Sequence, residues 1–242
     1  MKGCYLFFIA LASLYIFSCS THEKKQSVND PAVPENVAFP DTFYLGDRVV
    51  NVTRIDSVLF GQIPNEQYDT SEARNLPRDS ATVKRNGDTL VMGFNSGAGF
   101  VSLVNYDSDT DEFNFAAYTY LYHDKAIGQY VIHGTLFEHE CHVLIDDITG
   151  DTTYIGGLPI VNPDKKTFIS CSHGVDGDGI LCLFEWYENT HKPRLIGSKM
   201  IYETWSPEST KWASQTTLLG KGWTPGKANE GDKNTYYQFT FN

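Results

Sequence analysis

The residues best suited to metal chemistry include an acidic segment, "YDSDTDEF", in which Asp107, Asp109 and Asp111 alternate with small polar residues. Calcium prefers carboxylate oxygens at this spacing, but Asp and Ser are equally typical of hairpin turns. Glu112 stands where a helix–loop–helix calcium loop has its glycine. The segment is thus either a structural calcium site or an ordinary turn, and the sequence indicates no other cofactor.

A second group of metal-ligand types lies in "FEHECHV", which contains His139, Cys141 and His142. On a β-strand His139 and Cys141 share one face, whereas His142 points to the other. A closed zinc site needs four converging ligands. The pattern therefore favours a polar edge strand over a metal site.

Catalytic motifs are not evident in this sequence. It contains no GxSxG nucleophile motif, and "SCSHG" lacks the strand–turn–helix context that activates a nucleophile. A glycoside hydrolase would use paired carboxylates, but no spacing singles out such a pair. The chain is therefore interpreted as a binding protein first and as an enzyme second.

Three tryptophans near the C-terminus, Trp205, Trp212 and Trp223, are the candidate ligand-binding residues. A flat ring offers a large contact area at a small entropic cost, which suits sugar or peptide ligands. The alternative is that these rings pack between elements of the core. The sequence leaves both interpretations open.

Charge limits the classes of partner. The chain has 19 Lys and Arg against 30 Asp and Glu, which gives a formal net charge of −11. Nucleic-acid binding needs a basic surface, so it is not expected. A basic protein partner would be attracted by the same charge.

The N-terminus has the pattern of an export signal. Lys2 is followed by an almost wholly apolar run from Cys4 to Phe17, which is short for a membrane span of roughly 20 residues. Ile16-Phe17-Ser18-Cys19 resembles the lipobox of bacterial lipoproteins. This resemblance implies acylation of Cys19 and attachment to the bilayer of the cell envelope, expected at the outer membrane on its periplasmic or surface side.

The residues after the signal divide into two parts. Residues 19–41 are polar and proline-containing, which predicts a disordered tether after a signal peptide at residues 1–18. Residues 42–242 are long enough for one domain with its own core. We expect this domain to carry the binding function.

Export places the remaining cysteines where a disulfide can form. Centring a hairpin turn on "GVDGDG" sets Cys171 opposite Cys182, so these two are the predicted disulfide, with two buried free thiols as the alternative. Cys141 would then be the spare thiol.

Short runs rich in Val, Ile, Tyr, Phe and Thr alternate with turn residues after Asp41, which predicts an all-β chain. Turn-like segments centred near residues 46, 87, 124, 164 and 208 recur about every 40 residues, the length of a propeller blade.

The segment "PIVNPDKKTFISCSHGVDGDGILCLFEWYENT" resembles a WD-repeat-like blade of the propeller in the Tol-Pal translocation protein. Asp147-Ile148-Thr149-Gly150 resembles the acidic turn that ends such a blade, and Trp205-Ser206-Pro207-Glu208 resembles the turn that begins one. The resemblance implies a β-propeller-like domain, which the turn spacing divides into five four-stranded blades. The C-terminal "TYYQFTFN" would then share a blade with an N-terminal strand. A β-sandwich is the alternative fold.

Three functional classes remain. The first is a lipid-anchored binding module of the cell envelope with a glycan or protein ligand. The second is a propeller glycoside hydrolase without a cofactor, and the third is an inhibitor or assembly lipoprotein that binds a basic protein.

Overall fold

The computed structural model describes residues 39–64, 68–97, 99–106, 115–137, 139–172, 179–187, 192–201, 205–223 and 234–242. These residues form four antiparallel sheets and two short helices, so the all-β prediction is confirmed. No helix within these ranges is long and apolar enough to cross a membrane.

The sheets are numbered along the chain. Sheet I contains β3 (Val83–Asn86), β4 (Thr89–Gly93) and β5 (Phe100–Val104). Sheet II contains β6 (Ala116–Asp124), β7 (Gln129–Leu136), β8 (His139–Asp146) and β9 (Thr152–Ile155). Sheet III contains β10 (Ile160–Val161), β11 (Thr167–Ser172), β12 (Ile180–Trp186) and β13 (Pro193–Met200). Sheet IV has the spatial order β1 (Thr42–Leu45), β2 (Arg48–Ile55), β16 (Thr235–Phe241), β15 (Thr217–Trp223) and β14 (Ser206–Trp212).

Sheets II and III are buried on both faces. In β7, Tyr130 and Ile132 pack with sheet I, while Val131 between them packs with sheet III. In β11, Phe168 faces sheet II and Ile169 faces sheet IV. Because successive side chains alternate between the faces of a strand, a strand covered on both sides reads as a continuous apolar run.

Sheet IV joins the two ends of the described chain. The C-terminal strand β16 pairs with β2, so that Phe239 lies opposite Val52. The expectation that the C-terminal segment shares a sheet with an N-terminal strand is confirmed. Phe39, which precedes the predicted domain start at residue 42, is already buried against Trp205.

Four of the five predicted turn segments lie at connections between paired strands, and each of these connections contains a residue with positive φ: Gly46, Gly87, Gly128 and Lys165. The fifth prediction is wrong, because the residues around 208 form the edge strand β14. An edge strand tolerates Pro207, since no neighbour needs its missing N–H, and a bulge follows it before Ser209.

The first and fifth repeat units belong to the same sheet, so the described residues form four sheets rather than five.

The sequence reading did not predict the two helices, α1 (Ser57–Gln62) and α2 (Glu72–Arg78), between β2 and β3. Each is too short to show a helical hydrophobic period. The start of α1 does have a recognisable signal, because the Asp56 carboxylate accepts a hydrogen bond from the Leu59 N–H at 2.8 Å.

The predicted pairing of Cys171 with Cys182 is wrong by one residue. Cys171 lies opposite Leu181, and Cys182 lies opposite Ser170. Since neighbouring residues of a strand point to opposite faces, the two thiols lie on different sides of sheet III, and both are free. Burial raises the pKa of Cys171 to about 12, which keeps this thiol protonated.

Candidate functional site

A cavity of about 590 Å³ lies between sheets II, III and IV and the segment that follows α1. Its lining consists mainly of apolar and small residues, with a few polar side chains: Ile63, Pro64, Tyr68, Glu140, His142, Gly156, Gly157, Leu158, Pro159, Ile160, Val161, Pro163, Cys171, Pro207, Glu208, Ser209, Thr210, Lys211 and Trp212. Ligand sites are commonly of this size and character.

The cavity runs along strand edges rather than over the face of a sheet. A sheet face would present every second residue of a strand, whereas residues 207–212 and 156–161 line the cavity without interruption. The strands in these two stretches, β14 and β10, are both edge strands of their sheets. The backbone therefore forms much of the wall.

Local hydrogen bonds hold in place the part of the cavity wall that Gly157 forms. The Ser170 hydroxyl donates to the Gly157 carbonyl at 3.0 Å and accepts from the Gly157 N–H at 2.9 Å. A side chain at this position would collide with the backbone of β11, because an added Cβ would lie 1.9 Å from the Cys171 carbonyl oxygen. Glycine is thus required by close packing of two backbones.

The aromatic side chains of the lining are held from behind. The Trp212 indole N–H donates to the Ile160 carbonyl at 2.9 Å and links sheets IV and III. Tyr68 stacks on Tyr122 of β6, with ring centroids 4.7 Å apart and an interplanar angle of 8°. Both rings are therefore positioned before any ligand arrives, which reduces the entropic cost of binding.

Charged side chains of the lining have partners. Glu208 pairs with Lys221 at 2.7 Å, and Glu140 lies 3.5 Å from the His133 imidazole. The Lys211 ammonium lies 3.9 Å from the centre of the Phe60 ring and donates to the Ile63 carbonyl. Of the two carboxylates, Glu140 is the more exposed, at 69%, and Glu208 is held by the Lys221 ammonium.

His142 supplies a buried polar atom without a partner. Its Nδ1 has no hydrogen-bond partner within the described part of the chain. Burial, with a smaller contribution from the neighbouring His133, lowers the pKa of His142 to about 4. The imidazole is therefore neutral near pH 7.

The low pKa of His142 predicts acid sensitivity. The unfolded chain binds a proton near pH 6.5 and the folded chain only near pH 4, so the stabilisation is present above pH 6.5 and is lost as the pH falls towards 4. The loss at pH 4 should reach about 3 kcal/mol. Urea unfolding of His142→Gln across this range should show a correspondingly weaker pH dependence.

His139→Gln is the matched control, because His139 lies on the same strand and is exposed. It should keep the pH dependence of the wild-type chain. If the free energy of unfolding changes equally with pH in the two variants, His142 does not titrate as described.

The structure separates the three candidate tryptophans. Trp212 lines the cavity. Trp205 is 0% exposed in the core between sheets III and IV, so its assignment as a ligand-binding residue is corrected. Trp223 is 37% exposed at the end of β15 and is not among the described residues that line the cavity.

Other predicted site residues lie outside the described residues: Cys19, Asp107, Asp109 and Asp111. Across the ranges that the structure does describe, no group of three or more His, Cys, Asp or Glu side chains could hold a metal ion. His139 and Cys141 occupy one face of β8 and His142 the other, as expected.

Sequence reasoning did not assign Glu208, Glu140 or the "GGLPIVNP" segment to a site. The Gly and Pro content of that segment predicts a turn, and nothing local shows that it meets β14.

In the comparisons with known proteins, no family model, curated protein or solved structure matches this chain.

Proposed function

We propose that this chain is a binding module of the bacterial cell envelope, anchored through an acylated Cys19, whose ligand occupies the cavity between sheets II, III and IV. The observation that carries this proposal is the cavity itself, with its apolar wall, its positioned aromatic rings and the buried His142, whose Nδ1 has no partner among the described residues. An apolar pocket with a few convergent polar groups is the usual form of a ligand site.

The rigidity of the cavity supports binding. Pro64, Pro159, Pro163 and Pro207 contribute to its wall, and proline fixes the backbone angle φ. The edge strands β10 of sheet III and β14 of sheet IV supply much of the remainder. A wall of this kind loses little conformational entropy when a ligand binds.

The propeller-like arrangement is part of this proposal. Packing of consecutive sheets in chain order, with both faces of sheets II and III buried, is what radially arranged blades require. A sheet shared by both ends of the domain is a common way to hold such blades together. We propose four such units, since the described residues form four sheets.

The proposed anchor predicts the effect of Cys19→Ser. The wild-type chain, expressed in a bacterium grown with a palmitate analogue, should incorporate the label and sediment with membranes, because two or three acyl chains hold a protein on a bilayer. Cys19→Ser should do neither, while Cys141→Ser should behave as the wild type. Equal labelling of all three chains would exclude Cys19 as the acylated residue.

Ligand occupancy can be measured through the tryptophans. The chain contains four tryptophans, so the full chain labelled with 5-fluorotryptophan and purified in detergent gives one fluorine resonance for each. We expect a pool of bacterial glycans, random heptapeptides and small metabolites to shift the Trp212 resonance and leave that of buried Trp205 in place. If no component of the pool moves the Trp212 resonance, the cavity is not the ligand site.

A glycoside hydrolase is the second candidate. Glu140 and Glu208 line the same cavity as Trp212, and paired carboxylates beside an aromatic ring are the elements of such a site. This candidate predicts turnover of at least one nitrophenyl glycoside that Glu208→Gln abolishes. No turnover across the common sugars would reject it.

A further inference from the structure

The backbone of β14 presents N–H and C=O groups along the cavity that no other described backbone pairs. Ala213 donates its N–H to the Thr217 carbonyl at 2.8 Å, and Lys211 lies opposite Leu219 two residues along the ladder. Bonded and non-bonded pairs alternate in an antiparallel ladder, so the N–H and C=O groups of Thr210 and Trp212 point away from β15. No described residue provides a backbone partner for them.

The edge strand β10 of sheet III also has backbone groups that point away from its neighbouring strand. Asn162 donates its N–H to the Thr167 carbonyl at 2.9 Å, which makes these two a bonded pair. By the same alternation, Val161 points its N–H and C=O away from β11. Edges of two different sheets thus present backbone donors and acceptors along one cavity.

One end of the space between these edges is closed by side-chain hydrogen bonds. The Trp212 indole N–H reaches the Ile160 carbonyl, and the Asn162 side-chain amide donates to the Gln215 carbonyl at 2.8 Å. At the other end, Pro207 and the bulge before Ser209 interrupt regular pairing. Residues 209–212 are therefore the part of β14 that can accept another strand.

We propose that the ligand is an extended peptide segment that adds to the edge of β14, placing an apolar side chain in the cavity between sheets III and IV. This inference rests on the proposed function and names the ligand class. Unpaired N–H and C=O groups along an exposed strand edge are satisfied by another extended backbone. The apolar wall formed by Val161, Leu158 and Ile63 then receives the inward-pointing side chain.

Charge selects among peptides. Glu140 lines the cavity with a side chain that is 69% exposed, whereas Glu208 is paired with Lys221, and the chain carries a formal net charge of −11. The Lys211 ammonium is held at the Phe60 ring and the Ile63 carbonyl, so it is turned towards the α1 segment. Complementary charge accelerates association and suppresses wrong partners. The preferred peptide therefore carries Lys or Arg beside its apolar residue.

The first experiment is a selection of random heptapeptides on the full chain in detergent, followed by affinity measurements on the selected sequences. We expect apolar residues flanked by Lys or Arg, and about tenfold weaker binding when Glu replaces the basic residue. N-methylation of the peptide nitrogens that face β14 should weaken binding by about tenfold or more, because each methyl removes a donor and adds a clash. N-methylation of the alternate nitrogens should have little effect.

Thr210→Pro is the matching change in the protein. It removes the outward N–H of Thr210, whereas the ladder to β15 uses Ser209 and Lys211. Peptide affinity should fall about tenfold in Thr210→Pro and remain unchanged in Thr210→Ala, which keeps the N–H. If Thr210→Pro does not fold, the N-methylated peptides decide the question alone.

Two negative outcomes have different meanings. If N-methylation at the facing nitrogens has no effect, or if glycans or metabolites move the Trp212 fluorine resonance while no peptide does, the peptide inference is overturned and the cavity remains a ligand site. If no ligand class moves that resonance, the proposed function fails as well.

Discussion

Replacing Trp205 with alanine is expected to lower the free energy of unfolding by about 3–5 kcal/mol, the usual cost of deleting a large buried aromatic side chain. The Trp205 ring is 0% exposed and packs against Phe39, Tyr237 and Phe239. β15 leaves space for it through Gly220, where an added Cβ would lie 2.4 Å from the indole. Urea or thermal unfolding of the full chain measures this effect.

Trp223→Ala is the control for this prediction, since Trp223 is partly exposed at the end of its strand. It should change the free energy of unfolding by less than about 1 kcal/mol. Trp205→Phe should cost less than Trp205→Ala, because a ring remains and the buried Nε1, which has no partner among the described residues, is removed. Equal stability of the two alanine variants would contradict the position of Trp205 in the core.

Replacing Gly157 with alanine is expected to destabilise the chain by about 3 kcal/mol or more. The added Cβ would lie 1.9 Å from the Cys171 carbonyl oxygen and 2.8 Å from the carbonyl carbon. Both atoms belong to the backbone of β11, which cannot move without breaking its ladder. Thermal unfolding should show the loss, and ligand-induced shifts of Trp212 should disappear with it.

Gly61→Ala provides the matched glycine control. Gly61 lies in α1, and an added Cβ there would meet nothing within 4 Å. Alanine is the better helix former, so this variant should gain between 0 and about 1 kcal/mol. A Gly157→Ala chain as stable as Gly61→Ala would show that the cavity wall is not packed as described.

The strands that the sequence predicts well are those with a similar environment at every position. The run around Val131 and the run around Leu144 are apolar at every position because sheet II is covered on both sides. Pairing of the C-terminal strand with an N-terminal one follows from the need to protect strand edges, and β16 pairs with β2.

The features that the sequence does not predict depend on contacts between distant residues. The register of β11 and β12 differs by one residue from the predicted register, so Cys171 and Cys182 do not lie opposite each other. Ser206-Pro207-Glu208 has the composition of a turn and forms a strand because β15 pairs with it. The cavity combines Ile63, Pro64 and Tyr68 with residues 156–161 and 207–212, and no local pattern predicts that these segments meet.

Amide hydrogen exchange along β14 reports directly whether this strand edge is open to a peptide. We expect alternation in the free chain, with the Thr210 and Trp212 amides exchanging more than about tenfold faster than those of Ser209 and Lys211. A selected peptide should slow the Thr210 and Trp212 amides and leave the other two unchanged. Uniformly slow exchange along β14 before any ligand is added would contradict an open edge and, with it, the proposed site of binding.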